Sequence, residues 1–88
     1  MHANPNFLVR QVAGKFVLAP VGEAALQFSG MITINGTGKV LWDLLQQEQT
    51  VESLAQALTE RYEVSLEQAT ADVGKFLEPL YPTGAIVE

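Results

Sequence analysis

Apolar and polar residues alternate with a period of two in short stretches before residue 35, and recur every three to four residues in longer stretches after it. Phe7 to Val12 (FLVRQV) and Lys15 to Pro20 (KFVLAP) are β-branched and apolar enough for strands, and Ala13-Gly14 between them supplies a tight reversal. They form a hairpin in which Phe7 or Leu8 meets Val17 or Leu18, ended by Pro20 and Gly22. Met31 to Ile34 (MITI) is a third strand, with Ile32 and Ile34 on one face and Met31 and Thr33 on the other. Three strands are about the minimum for a stable sheet. Between them, Glu23 to Gly30 (EAALQFSG) has no clear period: Ala24 to Leu26 tolerate a helical turn, Gln27 and Phe28 suit extended chain. It reads as a connection, and the start of the third strand stays open within residues 23–31.

Asn35-Gly36-Thr37-Gly38 then breaks the extended run, and Asn35 or Thr37 can cap the helix that follows, from Gly36 to Gln46. Its apolar stripe is Val40, Leu41, Leu44 and Leu45, with Trp42 at the edge as a boundary core residue. Thr50 heads a second helix on which Val51, Leu54, Ala55, Leu58 and Tyr62 recur at helical spacing. Glu52 in its first turn and Arg61 in its last both suit the helix dipole. Ser65 and Gln68 have the spacing of a capping box for a third helix, lined by Leu66, Ala69, Val73, Phe76, Leu77 and Leu80. Pro79 stops that helix near Glu78, Tyr81 to Gly84 is a turn, and Ala85 to Val87 can add an edge strand. The fold class is α+β: a three-stranded antiparallel sheet followed by a three-helix bundle.

Composition narrows the chemistry. Eighty-eight residues make one domain, 1–88 with a core of about 7–87. No apolar run is long enough to cross a bilayer and the N-terminus lacks the features of a signal peptide, so a cytoplasmic protein without membrane contact is expected. Without cysteine there are no disulfides, thiolate nucleophiles or iron–sulfur ligands. His2, the single histidine, falls in a terminus expected to fray, which leaves no basis for a metal or histidine-base site. Gly36-x-Gly38 lacks the downstream residues of a nucleotide loop, and Asp43, Glu48, Glu60, Glu63 and Glu67 read as a solvated acidic surface. The expectation is a protein that is not an enzyme and carries no cofactor. Net charge is −5, yet residues 1–22 hold Arg10 and Lys15 with no acid, while all ten acids follow. Nucleic-acid binding needs clustered cations, so a peptide or protein is the better partner.

Three blocks in order carry a resemblance: Asn35-x-Thr37-Gly38-x-x-Leu41-Trp42-x-Leu44, then Thr50-Val51-x-x-Leu54-Ala55-x-x-Leu58 with Tyr62 after it, then Asp72-Val73-x-x-Phe76-Leu77-x-x-Leu80. From about Phe7 to Val87 the chain resembles the pyrroloquinoline quinone synthesis protein D (PqqD) family of peptide-recognition domains, departing from its shortest pattern in the lengthened connection Val21 to Gly30. The resemblance implies a winged-helix-like fold and a peptide chaperone. It would bind the leader of a ribosomally made precursor as an extra strand, between the third strand and the third helix, and deliver it to a radical S-adenosylmethionine (SAM) maturase.

The residues point the same way by themselves. Met31, Ile32, Thr33 and Ile34 form an edge with no Pro or charge to blunt it, open to a guest strand or to a second copy in a strand-swapped homodimer. On the third helix, Asp72 and Lys75 can meet opposite charges on the guest, Phe76 can floor an apolar pocket, and Pro79 closes the same side. The edge covered by the connection or tail is the plain structural alternative. The rival functions are a winged-helix nucleic-acid binder and a structural dimerisation or adaptor module; against the first, Lys75 is the lone cation of the third helix beside Glu67, Asp72 and Glu78.

Overall fold

The computed structural model describes residues 1–27 and 30–88. In chain order its elements are β1 (His2–Ala3), β2 (Phe7–Val12), β3 (Lys15–Pro20), α1 (Ala24–Gln27), β4 (Ile32–Ile34), α2 (Gly36–Leu44), α3 (Val51–Arg61), α4 (Leu66–Leu77) and β5 (Ile86–Val87), with a 3-10 turn at Tyr81–Thr83 before the last. One sheet has the order β2-β3-β4, antiparallel throughout, and a second pairs β1 with β5. The expected α+β arrangement of a three-stranded antiparallel sheet followed by helices is present.

The hairpin register pairs Phe7 with Pro20, Leu8 with Ala19, Val9 with Leu18 and Arg10 with Val17. The direct contacts expected of Phe7 and Leu8 are therefore shifted; Phe7 and Leu18 are diagonal neighbours on the face that packs on the helices, where both are buried. The reversal is a two-residue turn with Ala13 at φ 52° and Gly14 at φ 79°, the left-handed pair of a type I′ turn. A Cβ in that region costs roughly 1–2 kcal/mol, which Asn tolerates better than Ala. Ala13→Asn is expected to stabilise the fold by about 0.5–1 kcal/mol, raising the thermal midpoint by about 3–6 °C in calorimetry.

The turn also sets which backbone groups face which neighbour. A two-residue turn closes on a hydrogen-bonded pair, here Val12 and Lys15, and bonded pairs then alternate, making Arg10–Val17 and Leu8–Ala19 bonded as well. Phe16 and Leu18 accordingly turn their N–H and C=O groups the other way, onto Ile34 and Ile32. Pro20 sits where β2 asks no donor of it, and having none to offer β4 it ends that ladder at Leu18–Ile32. The third strand thus begins at Ile32 rather than Met31. The connection before it contains α1, so Gln27 closes a helical turn instead of extending; the expectation for Phe28 lies outside the described residues.

Each long helix starts on a side-chain cap. Asn35 accepts from the N–H of Gly38 at 2.8 Å, so it, and not Thr37, caps α2. Thr50 and Ser53 form a reciprocal capping box on α3. Ser65 accepts from the N–H of Gln68 at 3.0 Å, but the return bond of the expected box is not made, because the Gln68 amide donates to Asp72 at 2.8 Å. The α4 helix ends at Leu77, two residues before Pro79.

The core joins Phe7 and Leu18 of the sheet to Leu41, Trp42 and Leu45, to Leu54, Ala55 and Leu58 of α3, and to Ala69, Val73 and Leu77 of α4. On α2 the buried stripe is Gly38, Leu41, Trp42 and Leu45, with Val40 and Leu44 half-buried, so the helix is rotated from its expected setting. Burying the whole indole removes more apolar surface from water than either aliphatic chain would. Leu66 and Tyr62, expected on the core stripes, are exposed where α3 gives way to α4, Tyr62 as the C-cap of one helix and Leu66 as the first residue of the next.

The N-terminus does not fray. His2 pairs with Val87 and Ala3 with Ile86, and the Ala3 N–H donates to Leu45 O at 2.8 Å. The tail strand expected at Ala85 to Val87 is therefore spent on β1, away from β4. The Met1 ammonium donates to the Glu48 carboxylate and His2 lies 3.2 Å from it, and these bonds hold the Glu48 carboxyl below the ordinary carboxylate range.

Candidate peptide-binding cleft

By the alternation above, Ile32 and Ile34 exchange backbone bonds with β3, and the N–H and C=O of Thr33, between them, point out of the sheet. Among the described residues no strand pairs with that outer edge of β4. Beside it lies a cleft of about 320 Å³ walled by Ile32, Thr33 and Ile34 of β4, by Asn35, Thr37, Gly38 and Leu41 at the start of α2, and by Asp72, Lys75, Phe76, Pro79 and Leu80 along the end of α4.

The α4 helix supplies its wall by spacing alone. Asp72, Phe76 and Pro79 are four and three residues apart, one above another on one face, with Lys75 beside them. Neighbouring positions Ala69, Val73 and Leu77 are buried in the core, which fixes the rotation of the helix. Phe76 is half-buried and packs against the core while lining the cleft, so it serves both. Asp72 already accepts from Gln68 at 2.8 Å, whereas Lys75 is exposed and makes no ion pair among the described residues. The cleft thus offers an apolar floor, one uncommitted cation at the rim, and an outward N–H and C=O along one wall.

Of the residues singled out from the sequence, Ile32, Thr33, Ile34, Asp72, Lys75, Phe76 and Pro79 line this cleft together. Met31 does not; it precedes β4 and is 65% exposed. The sequence reading missed the α2 side. Gly38 reads in the sequence only as part of the break that ends the extended run, yet a Cβ there would stand 3.0 Å from Phe76 Cε1 and 3.1 Å from Ile34 Cβ, so its bareness lets α2 close onto both walls. The signal available was a glycine inside the first turn of a helix, a placement that costs about 1 kcal/mol against alanine. Among the described residues no cluster of His, Cys, Asp or Glu is gathered as a metal site would require, and no polar or charged residue is buried. No described helix is long and apolar enough to cross a membrane.

The family model of coenzyme PQQ synthesis protein D (PqqD) matches residues 14–86. A similar fold occurs in TbiB1, solved in complex with the TbiA(beta) leader peptide (TM-score 0.75, 20% identity, covering 97% of this chain and 93% of that one). It also occurs in a lasso peptide synthetase B1 complexed with the leader peptide (TM-score 0.74, 23% identity, covering 99% of this chain and 96% of that one). No curated protein matches the chain.

Proposed function

Since this chain belongs to the coenzyme PQQ synthesis protein D family, we propose that it is a non-catalytic peptide-binding module. It captures the leader of a ribosomally made precursor as an added strand on β4 and presents the attached peptide to a separate radical SAM enzyme. The observation that carries this reading is the unpaired Thr33 edge standing over an apolar cleft of about 320 Å³. That two proteins of the same fold were solved with leader peptides supports it.

The geometry constrains the guest. The guest residue opposite Thr33 exchanges backbone bonds with it, and its two neighbours turn their side chains into the cleft, beside Ile32 and Ile34. Those two positions should be apolar, each contributing about 1.5–3 kcal/mol when fully buried. Beyond them a carboxylate finds Lys75. Asp72 and Pro79 border the site, and Met31 receives the guest where it runs past the start of β4. A strand-swapped second copy would fill the same edge, and a nucleic acid would meet α4 with Lys75 against Glu67 and Asp72.

Titration of 15N-labelled protein with leader-derived peptides tests the reading. Amide shifts should concentrate at Thr33, Lys75 and Phe76 and saturate with one peptide. Shifts confined to other surfaces, or a precursor leader that moves no amide, would refute strand addition.

A further inference from the structure

On the sheet face turned away from the helices, alternation places Leu8, Arg10 and Val12 of β2 beside Lys15 and Val17 of β3, with Thr33 of β4 at the end. An uncovered antiparallel face is ordinarily polar. Here Leu8 is 47% and Val12 51% exposed, while Val17, outside the main core, is nonetheless buried between its cross-strand neighbours Arg10 and Thr33. Arg10 makes no ion pair among the described residues, and no acid precedes Glu23. In a chain of net charge −5 this face is therefore apolar and positive. That combination fits a protein surface bearing an apolar patch edged by carboxylates.

The register ties this face to the open edge of β4. Arg10, Val17 and Thr33 stand in one row across the sheet, and a guest strand on β4 continues that row with the side chain of the residue opposite Thr33. With strands roughly 4.8 Å apart, Arg10 and that guest side chain are about 15 Å from one another on the same face. A partner seated there touches the protein and the captured leader together. We infer that this outer face is the docking surface for the enzyme that modifies the bound precursor, and that the enzyme meets it with an acidic, apolar-centred patch. The composite part of this surface rests on the strand-addition reading; the Leu8–Arg10–Val12 part does not. Arg10 and Lys15 alone are too few cations to hold a nucleic acid or an anionic bilayer by charge.

The test uses the full chain, the purified radical SAM enzyme of the same pathway, and the fluorescently labelled leader of that pathway's precursor. The variant Leu8→Ser/Arg10→Glu changes two exposed side chains on β2, the strand farthest from the cleft; Arg10→Glu alone serves as a second variant, and circular dichroism checks that both fold. Leader affinity should stay within about twofold of wild type, while affinity for the enzyme falls at least about tenfold. Wild-type docking should weaken as salt rises and strengthen when leader is bound. Enzyme binding equal in variant and wild type, with leader captured normally, overturns the inference. So does a wild-type dimer in light scattering that the variant dissolves, or wild-type binding to phosphatidylglycerol vesicles that the variant loses. A chain that captures no leader yet docks the enzyme through Arg10 refutes strand addition and leaves the face assigned.

Discussion

Replacing Thr33 by proline is expected to weaken leader capture severely and to leave the chain folded. Proline removes the N–H that faces the guest and puts ring carbons in its path, whichever way the guest strand runs. Each unmade bond at a desolvated edge costs about 1–3 kcal/mol, so affinity should fall at least about thirtyfold in titration calorimetry. Stability should change little, because the bonds of β4 to β3 are made by Ile32 and Ile34, and edge strands accommodate proline when the lost donor faces outward. Two controls give the result its meaning. Thr33→Val keeps the backbone and should bind within about threefold of wild type; Ile34→Pro cuts the ladder to Phe16 and should lower the denaturation midpoint. A folded Thr33→Pro protein that binds leader with wild-type affinity would mean that capture does not run through this edge.

Local signals in the chain reached this edge because the residues that build it are close in sequence. Period-two alternation marks Ile32 to Ile34, the Asn35 cap marks the start of α2, and Pro79 marks the end of α4, so both long walls of the cleft were visible before the fold. Composition set the expectation of a binding module over an enzyme, since a chain without cysteine and with a single histidine has few catalytic groups to arrange. What stayed hidden depends on distance. The pairing of β1 with β5 joins residues more than eighty positions apart, and His2–Ala3 is too short to carry a pattern. The rotation of α2 that buries Trp42 and leaves Val40 half-exposed is decided by what the helix packs against, not by its own periodicity. The outer sheet face was legible as letters, Leu8, Arg10 and Val12, but only the register shows that they share a row with Thr33.

Gly38 is where that hidden layer bears most on the proposed capture. Gly38→Ala is expected to lower leader affinity about tenfold while leaving stability within roughly 2 kcal/mol of wild type, since the gain in helix propensity of about 1 kcal/mol offsets part of the crowding. The new methyl would stand 3.0 Å and 3.2 Å from Phe76 Cε1 and Cδ1, and 3.1 Å from Ile34 Cβ, so something must move. Ile34 is tied into the ladder with Phe16 and cannot retreat without loosening β4. Phe76 has open space on its cleft side, and its ring yields, rising into the volume that a guest side chain would occupy. A double-mutant cycle isolates this contact: Phe76→Leu removes the ring atoms that the methyl would strike, so Gly38→Ala should cost much less affinity in that background. Urea denaturation of all four proteins separates lost binding from lost fold. If Gly38→Ala binds leader as well as wild type does, Phe76 is packing for α2 alone and the guest rests elsewhere; if it binds poorly and Phe76→Leu relieves the loss, the absent side chain at position 38 is what keeps the floor of the cleft low enough for a strand to lie on.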